Sequence, residues 1–151
     1  MVYELYGNLL EADVDYICHQ VNCKGKMGSG IAKQIRARYP AVYDLYMKEV
    51  KEEKLGHIQC VYMQQAEHKV IGVINMFSQN NYGYTGMRYT SYEAFWTCLE
   101  EIKNHVPKGR KIGFPGHIGC GLGGANWEVI KTMISEVLGK DYEVYIYNYG
   151  G

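Results

Sequence analysis

Apolar and polar positions along the 151-residue chain alternate between two periods, and each change of period marks an element. Near the start Tyr3 and Leu5 alternate with Glu4 and lead into Gly7-Asn8, the pattern of a strand that ends in a turn. Residues 15–21 read as a second, more buried strand, followed by a glycine-rich loop at 22–30. The period then becomes helical. Ile31, Ala32, Ile35 and Tyr39 share a face, Pro40 stops that helix, and the same proline starts another with Val42, Tyr43, Tyr46, Met47 and Val50 in one stripe. Gly56 closes it.

Residues 58–63 and 69–77 are strand candidates, and 78–90 is a loop of Gln, Asn, Gly and Tyr. The tetrad Thr90-Ser-Tyr-Glu93 has the form of a capping box, with Glu93 reaching back to the Thr90 amide. The helix it opens carries Tyr92, Phe95, Trp96, Leu99, Ile102 and Val106 on a face assigned to the core. A short strand at 111–114 runs into a second glycine-rich stretch, 115–124. A helix with Trp127, Ile130, Met133, Ile134, Val137 and Leu138 follows, ended by Gly139, and 143–147 is the last strand. The order β-β-α-α-β-β-α-β-α-β predicts one α/β domain over 1–151 with a single central sheet. Consecutive strands without an intervening helix make that sheet mixed.

Composition narrows the picture. Sixteen basic and 16 acidic side chains give zero formal charge, which argues against general nucleic-acid binding but leaves room for a ligand with two phosphates. The five cysteines are odd in number and scattered, and the N-terminus lacks the basic start and apolar run of a signal peptide. With no apolar run long enough for a membrane span, a cytoplasmic, monomeric protein is expected. Glycine is enriched, at 18 residues. Half of these glycines fall in or beside the two loops, each of which opens a helix. Such a loop offers free backbone N–H groups to an anion, and glycine lets a phosphate approach without meeting a Cβ. A tight structural turn is the other reading of each loop. Neither loop has the spacing of a P-loop or of the dinucleotide fingerprint.

Residues 21–22, 25–32 (Gly-Lys-Met-Gly-Ser-Gly-Ile-Ala) and 118–124 (Ile-Gly-Cys-Gly-Leu-Gly-Gly) with Trp127-Glu128 resemble the ligand loops of the macrodomain family. The resemblance extends to the branch of ADP-ribose 1''-phosphate phosphatases, terminal ADP-ribose glycohydrolases and the antitoxin macrodomain that removes ADP-ribose from DNA. It implies a three-layer α-β-α fold around a mixed six-stranded sheet, with ADP-ribose or a derivative as ligand and no cofactor. An ADP-ribosylated macromolecule is a candidate partner. By the same resemblance Asn8 and Leu9 sit at the adenine, with Asn8 where many members have Asp, and Asn22 sits beside the distal ribose. Met27, Gly28, Ser29, Gly30 and Ile31 form the first phosphate loop. Ile118, Gly119, Cys120, Gly121, Leu122 and Gly123 form the second.

Glycohydrolases of this branch use a Lys after the fourth strand or an Asp in the second loop. Here those positions hold Gln79 and Gly123, and neither can take a proton at neutral pH. Gln79 is retained as a water-orienting candidate. His19 is the acid/base candidate, since it resembles a histidine of the phosphatase branch and titrates near neutrality. The other reading of His19 is a strand histidine satisfied by a backbone carbonyl, and His117 is a rival. Cys120 is assigned a structural role and not that of a nucleophile, because no base stands beside it. Zinc is not expected, because Cys18 and His19 point to opposite faces of a strand. In the 79–88 loop Tyr82 and Tyr84 are candidates for a lid, and Arg88 for a phosphate clamp or a turn cap. The expected function is ADP-ribose binding with hydrolysis of a derivative, ADP-ribose 1''-phosphate first and removal of ADP-ribose or acetyl next. A non-catalytic ADP-ribose reader is the alternative.

Overall fold

The computed structural model describes residues 1–149. Six strands, β1 (Val2–Tyr6), β2 (Tyr16–Asn22), β3 (Ile58–Ala66), β4 (Lys69–Gln79), β5 (Lys111–Pro115) and β6 (Glu143–Asn148), form one sheet in the order β1-β6-β5-β2-β4-β3. All neighbours are parallel except β3 and β4, which pair antiparallel as a hairpin across a two-residue turn. The expected mixed sheet and order of elements are both observed.

Alternation along β2 explains the three layers. Tyr16 and Cys18 pack on one face against α3 (Tyr92–His105) and α4 (Trp127–Leu138), with Phe95, Leu99, Ile130 and Ile134 at the centre. Ile17 and Val21 point to the other face, covered by α1 (Gly30–Arg38) and α2 (Pro40–Glu49) through Ile35, Val42 and Tyr46. β2 thus feeds a helix on one face, while its parallel neighbour β5 feeds α4 on the other. Strands that diverge in this way leave a crevice at their carboxyl ends.

Two details of α3 differ from the sequence pattern. The N-cap is Ser91, whose hydroxyl accepts from the Ala94 amide at 3.1 Å. Thr90 is drawn off instead to donate to the Gly119 carbonyl at 2.8 Å. Trp96 is 39% exposed and lies outside the core stripe, which Phe95, Leu99, Ile102 and Val106 fill without it. On α2, Met47 is likewise exposed, although its side chain lies against Gly25 of the first glycine loop.

Candidate functional site

The crevice between the ends of β2 and β5 is a cavity of about 780 Å³, within the range of small-molecule sites. Its walls are loop 1 (residues 23–29) and loop 2 (residues 116–124), with Asn8 and Leu9 at one end and Gln79, Tyr82 and Tyr84 at the other. Among the lining residues Lys26 is the single Lys or Arg, and there is no carboxylate. An anion entering meets backbone N–H groups and no opposing negative charge.

Loop 1 is held from below by Asn22. Its amide oxygen accepts from the Lys24 and Lys26 N–H groups at 3.0 and 3.2 Å, its NH2 donates to the Lys26 carbonyl at 2.7 Å, and the Tyr46 hydroxyl donates to its main-chain carbonyl at 2.7 Å. Asn22 borders the cleft; its amide oxygen is taken up in shaping the loop, while its NH2 gives one N–H to Lys26 O and keeps the other. Loop 1 leads into α1, whose N-cap Ser29 makes no side-chain cap bond. The first N–H groups of that helix remain without a side-chain acceptor.

Loop 2 is built differently. Turns from Cys120 N to His117 O (2.9 Å), Gly124 N to Gly121 O (3.1 Å) and Ala125 N to Gly119 O (2.9 Å) close it on itself. His117 takes a left-handed φ of 59° and lays its ring on Trp127, centroids 5.0 Å apart. The expectation that both loops present open helix N-termini holds only for loop 1. The N-terminus of α4 is capped by Asn126, whose side chain accepts from Val129 N at 3.3 Å.

The glycines separate by cause. Of the 16 that the structure describes, eight have φ between +20° and +160°, where other residues are strained. Six more have no room for a Cβ. On Gly123, for example, it would lie 2.4 Å from Thr90 Oγ1 and 2.6 Å from the Gly119 carbonyl. The remaining two, Gly28 and Gly121, have ordinary φ and nothing within 4 Å of where a methyl would sit, and both line the cleft. Neither backbone conformation nor packing requires glycine there.

Other expected residues divide. Asn8, Leu9, Ser29, Gly30, Ile31, Ile118, Gly119, Leu122 and Gly123 line the cleft. The Asn8 oxygen accepts from Leu10 N at 3.0 Å and keeps a second lone pair for a ligand. Met27 does not line it: the side chain is 1% exposed and packs with Val21, Tyr46 and Phe77. Cys120 also stays out, bonded through its thiol to Ile118 O at 3.3 Å, and burial raises its pKa to about 11. That agrees with a structural role. Arg88 stacks its guanidinium 4.4 Å above the Tyr92 ring and is absent from the cleft.

His19 is the main correction. Strand alternation turns it to the α1/α2 face, where it is fully buried, bonded to the Asn75 amide oxygen, and away from the cleft. Burial holds its pKa down at about 4, so it is neutral at pH 7. Its partner is a side chain, not the backbone carbonyl of the alternative reading. Besides Asn22, the polar residue of β2 that reaches the cleft is His19's neighbour Gln20, which the sequence reading does not single out. The signal was present, since alternation puts residue 20 on the face opposite residue 19. Gln20 Nε2 donates to Gln79 Oε1 at 2.6 Å and to Thr90 Oγ1 at 2.9 Å, tying the 79–90 segment to the floor. Among the described residues no cluster of His, Cys, Asp or Glu is arranged to hold a metal, and no helix is long and apolar enough to cross a membrane.

The fold and cleft define an α/β ligand-binding domain with two glycine walls suited to a small anionic ligand. Comparison with known proteins is more specific: the Macro domain family matches residues 18–134, and the chain belongs to that family. A DNA ADP-ribosyl glycohydrolase from Thermus aquaticus is 29% identical over 145 residues, covering 93% of this chain and 39% of the relative. An ADP-ribose 1''-phosphate phosphatase from Aspergillus oryzae is 37% identical over 56 residues, 36% of this chain and 28% of the relative. The chain thus spans less than half the length of these curated relatives. Among solved structures, the macrodomain of Thermus aquaticus DarG superimposes with a TM-score of 0.75 at 26% identity, covering 100% of this chain and 99% of that one.

Proposed function

We propose that the chain binds ADP-ribose, free or as the terminal unit of a modified macromolecule, in the cleft between loops 1 and 2. The pyrophosphate lies against the backbone donors of loop 1 and the uncapped start of α1, with the adenine toward Asn8 and the distal ribose toward Gln79 and Tyr82. The observation that carries this reading is the pair Gly28 and Gly121, which line the cleft although neither backbone conformation nor packing calls for glycine there. The absence of any carboxylate from the cleft lining supports a diphosphate ligand. Titration calorimetry with ADP-ribose tests it. Saturable micromolar binding is expected, and no heat at high micromolar ligand overturns the reading.

Hydrolysis of an ADP-ribose derivative is the second reading, favoured by the hydrolase names of the relatives. The polar side chains at the distal end are Gln20, Gln79, Tyr82 and Tyr84; the cleft lining holds no carboxylate, and its one imidazole, His117, stands in loop 2 with its ring on Trp127, so binding is taken as the first function. Incubation with ADP-ribose 1''-phosphate and an assay of free phosphate separates the two. Turnover makes the chain an enzyme; binding without phosphate release makes it a reader.

A further inference from the structure

Among the described residues two other than glycine take a left-handed backbone, His68 at φ 62° and His117 at φ 59°. His68 is explained by its place: it is the second residue of the two-residue turn between β3 and β4, and such turns demand positive φ. His117 stands in loop 2, where the other positive-φ positions, 119 and 124, are glycine. A left-handed conformation strains a residue that carries a Cβ, so glycine is what the backbone at 117 favours. The chain places a histidine there instead, and that histidine lines the cleft. An outlier held in a ligand-sized cleft points to the use of its side chain.

The other four histidines are engaged with the protein. His19, His57 and His105 hydrogen-bond to Asn75, Glu101 and Tyr62, and His68 lies 3.5 Å from Glu67. The His117 ring rests on Trp127 with 32° between the planes, and among the described residues no group bonds either of its nitrogens. The helix packed against it, α4, carries Glu128 beside Trp127, and that carboxylate is exposed and outside the cleft. The titratable side chains that share the cleft with His117 are Lys26, Tyr82, Tyr84, Tyr147 and Tyr149. Gly116 N donates to Tyr147 O at 2.8 Å and Gly7 N to Asn148 O at 3.0 Å, which sets His117 at the end of loop 2 nearest the Gly7-Asn8 turn.

We infer that His117 is the ligand-binding side chain of loop 2: its imidazolium pairs with the phosphate nearest the adenosine, from the side opposite loop 1, so that ADP-ribose binding takes up a proton. The inference rests on the ADP-ribose reading above and deepens it. Loop 1 supplies backbone donors, whereas loop 2 is closed on itself and its helix start is capped. A protonated His117 gives that second wall a charge of its own and the cleft a second cation beside Lys26. A hydrogen bond from a charged donor to a charged oxygen is roughly twice as strong as a neutral one. At this end of the cleft His117 holds the ligand and takes no part in chemistry at the distal ribose.

Calorimetry with ADP-ribose on the whole chain at about pH 5.5 and pH 8, either side of the range in which histidines titrate, is the test. The pyrophosphate keeps its charge across that range, lysine and tyrosine titrate above it, and the buried His19, at about 4, titrates below it. The unmodified protein is expected to bind about fivefold more tightly at the lower pH. Asparagine and glycine both accept a left-handed φ, so His117→Asn and His117→Gly keep the loop, which thermal melting checks. Each brings the ratio of the two affinities to within about twofold. A merely structural role for His117 would change affinity alike at both pH values and leave the ratio in place. Equal affinities in the unmodified protein, or a ratio that survives both substitutions, overturn the inference and leave the ADP-ribose reading standing. No binding at either pH overturns both.

Discussion

The two glycine loops look alike in sequence and are opposite in construction. Loop 1 is shaped by one side chain beneath it, Asn22, and its helix start is left without a side-chain cap. Loop 2 is shaped by its own backbone turns and by neighbours that press on its glycines: Asn148 under Gly116, Thr90 under Gly123, and the Met87–Arg88 backbone against Gly124. Its helix start is already capped. Loop 1 therefore leaves its helix start open, and loop 2 is a carved wall whose glycines mostly serve the fold. Counting glycines does not separate those the fold needs from those it does not; asking what each glycine avoids does.

Substitution can erase or widen this contrast. The largest effect is expected at Gly123→Ala in loop 2, where the new methyl has backbone on one side and Thr90 on the other. Overpacking of this kind costs about 3 kcal/mol, or roughly 10 °C in Tm by thermal melting. Next comes acid, which acts beneath loop 1. His19 titrates at about 4 when folded, against an ordinary value of 6.5. Between those values the unfolded chain binds a proton that the folded chain refuses, so stability falls as pH drops through that window and this contribution levels off below it. Urea unfolding at pH 7 and pH 5 should differ by about 2 kcal/mol from this group alone.

Asn22→Ala removes the side-chain hydrogen bonds that order loop 1 and should cost about 2 kcal/mol in the same assay, with a loss of ADP-ribose affinity. The smallest effect is expected at Asn126→Ala. Removing the α4 cap costs about 1 kcal/mol and should leave ADP-ribose affinity unchanged, because that helix start does not face the ligand. A fall in affinity there would erase the distinction between the loops.

Much of the fold was legible because hydrophobic period is local. The ten main elements appear in the expected order, and Pro40 starts α2 as its chemistry requires. What a polar side chain does with its hydrogen bonds is decided by partners far along the chain, and there the sequence was less informative. One ring nitrogen of His19 is bonded to Asn75, and the Asn22 amide oxygen is taken by its own loop. Thr90 is drawn from its helix cap by a carbonyl 29 residues away. Met27 sits inside a loop of cleft residues, yet it turns inward because the α2 side of the sheet has an apolar space for it. Gln20 lies next to a more reactive side chain, and only strand alternation tells the two apart.

If Gly28 is glycine for the sake of a ligand, enlarging it should harm binding and spare the fold. Gly28→Val is the most direct probe, since the added side chain meets no protein atom at its Cβ and the backbone φ there is an ordinary one. The expected result is a melting temperature equal to that of the unmodified protein and a loss of ADP-ribose affinity of at least about tenfold by calorimetry. Full affinity in a normally folded Gly28→Val protein would show that no ligand passes over this glycine.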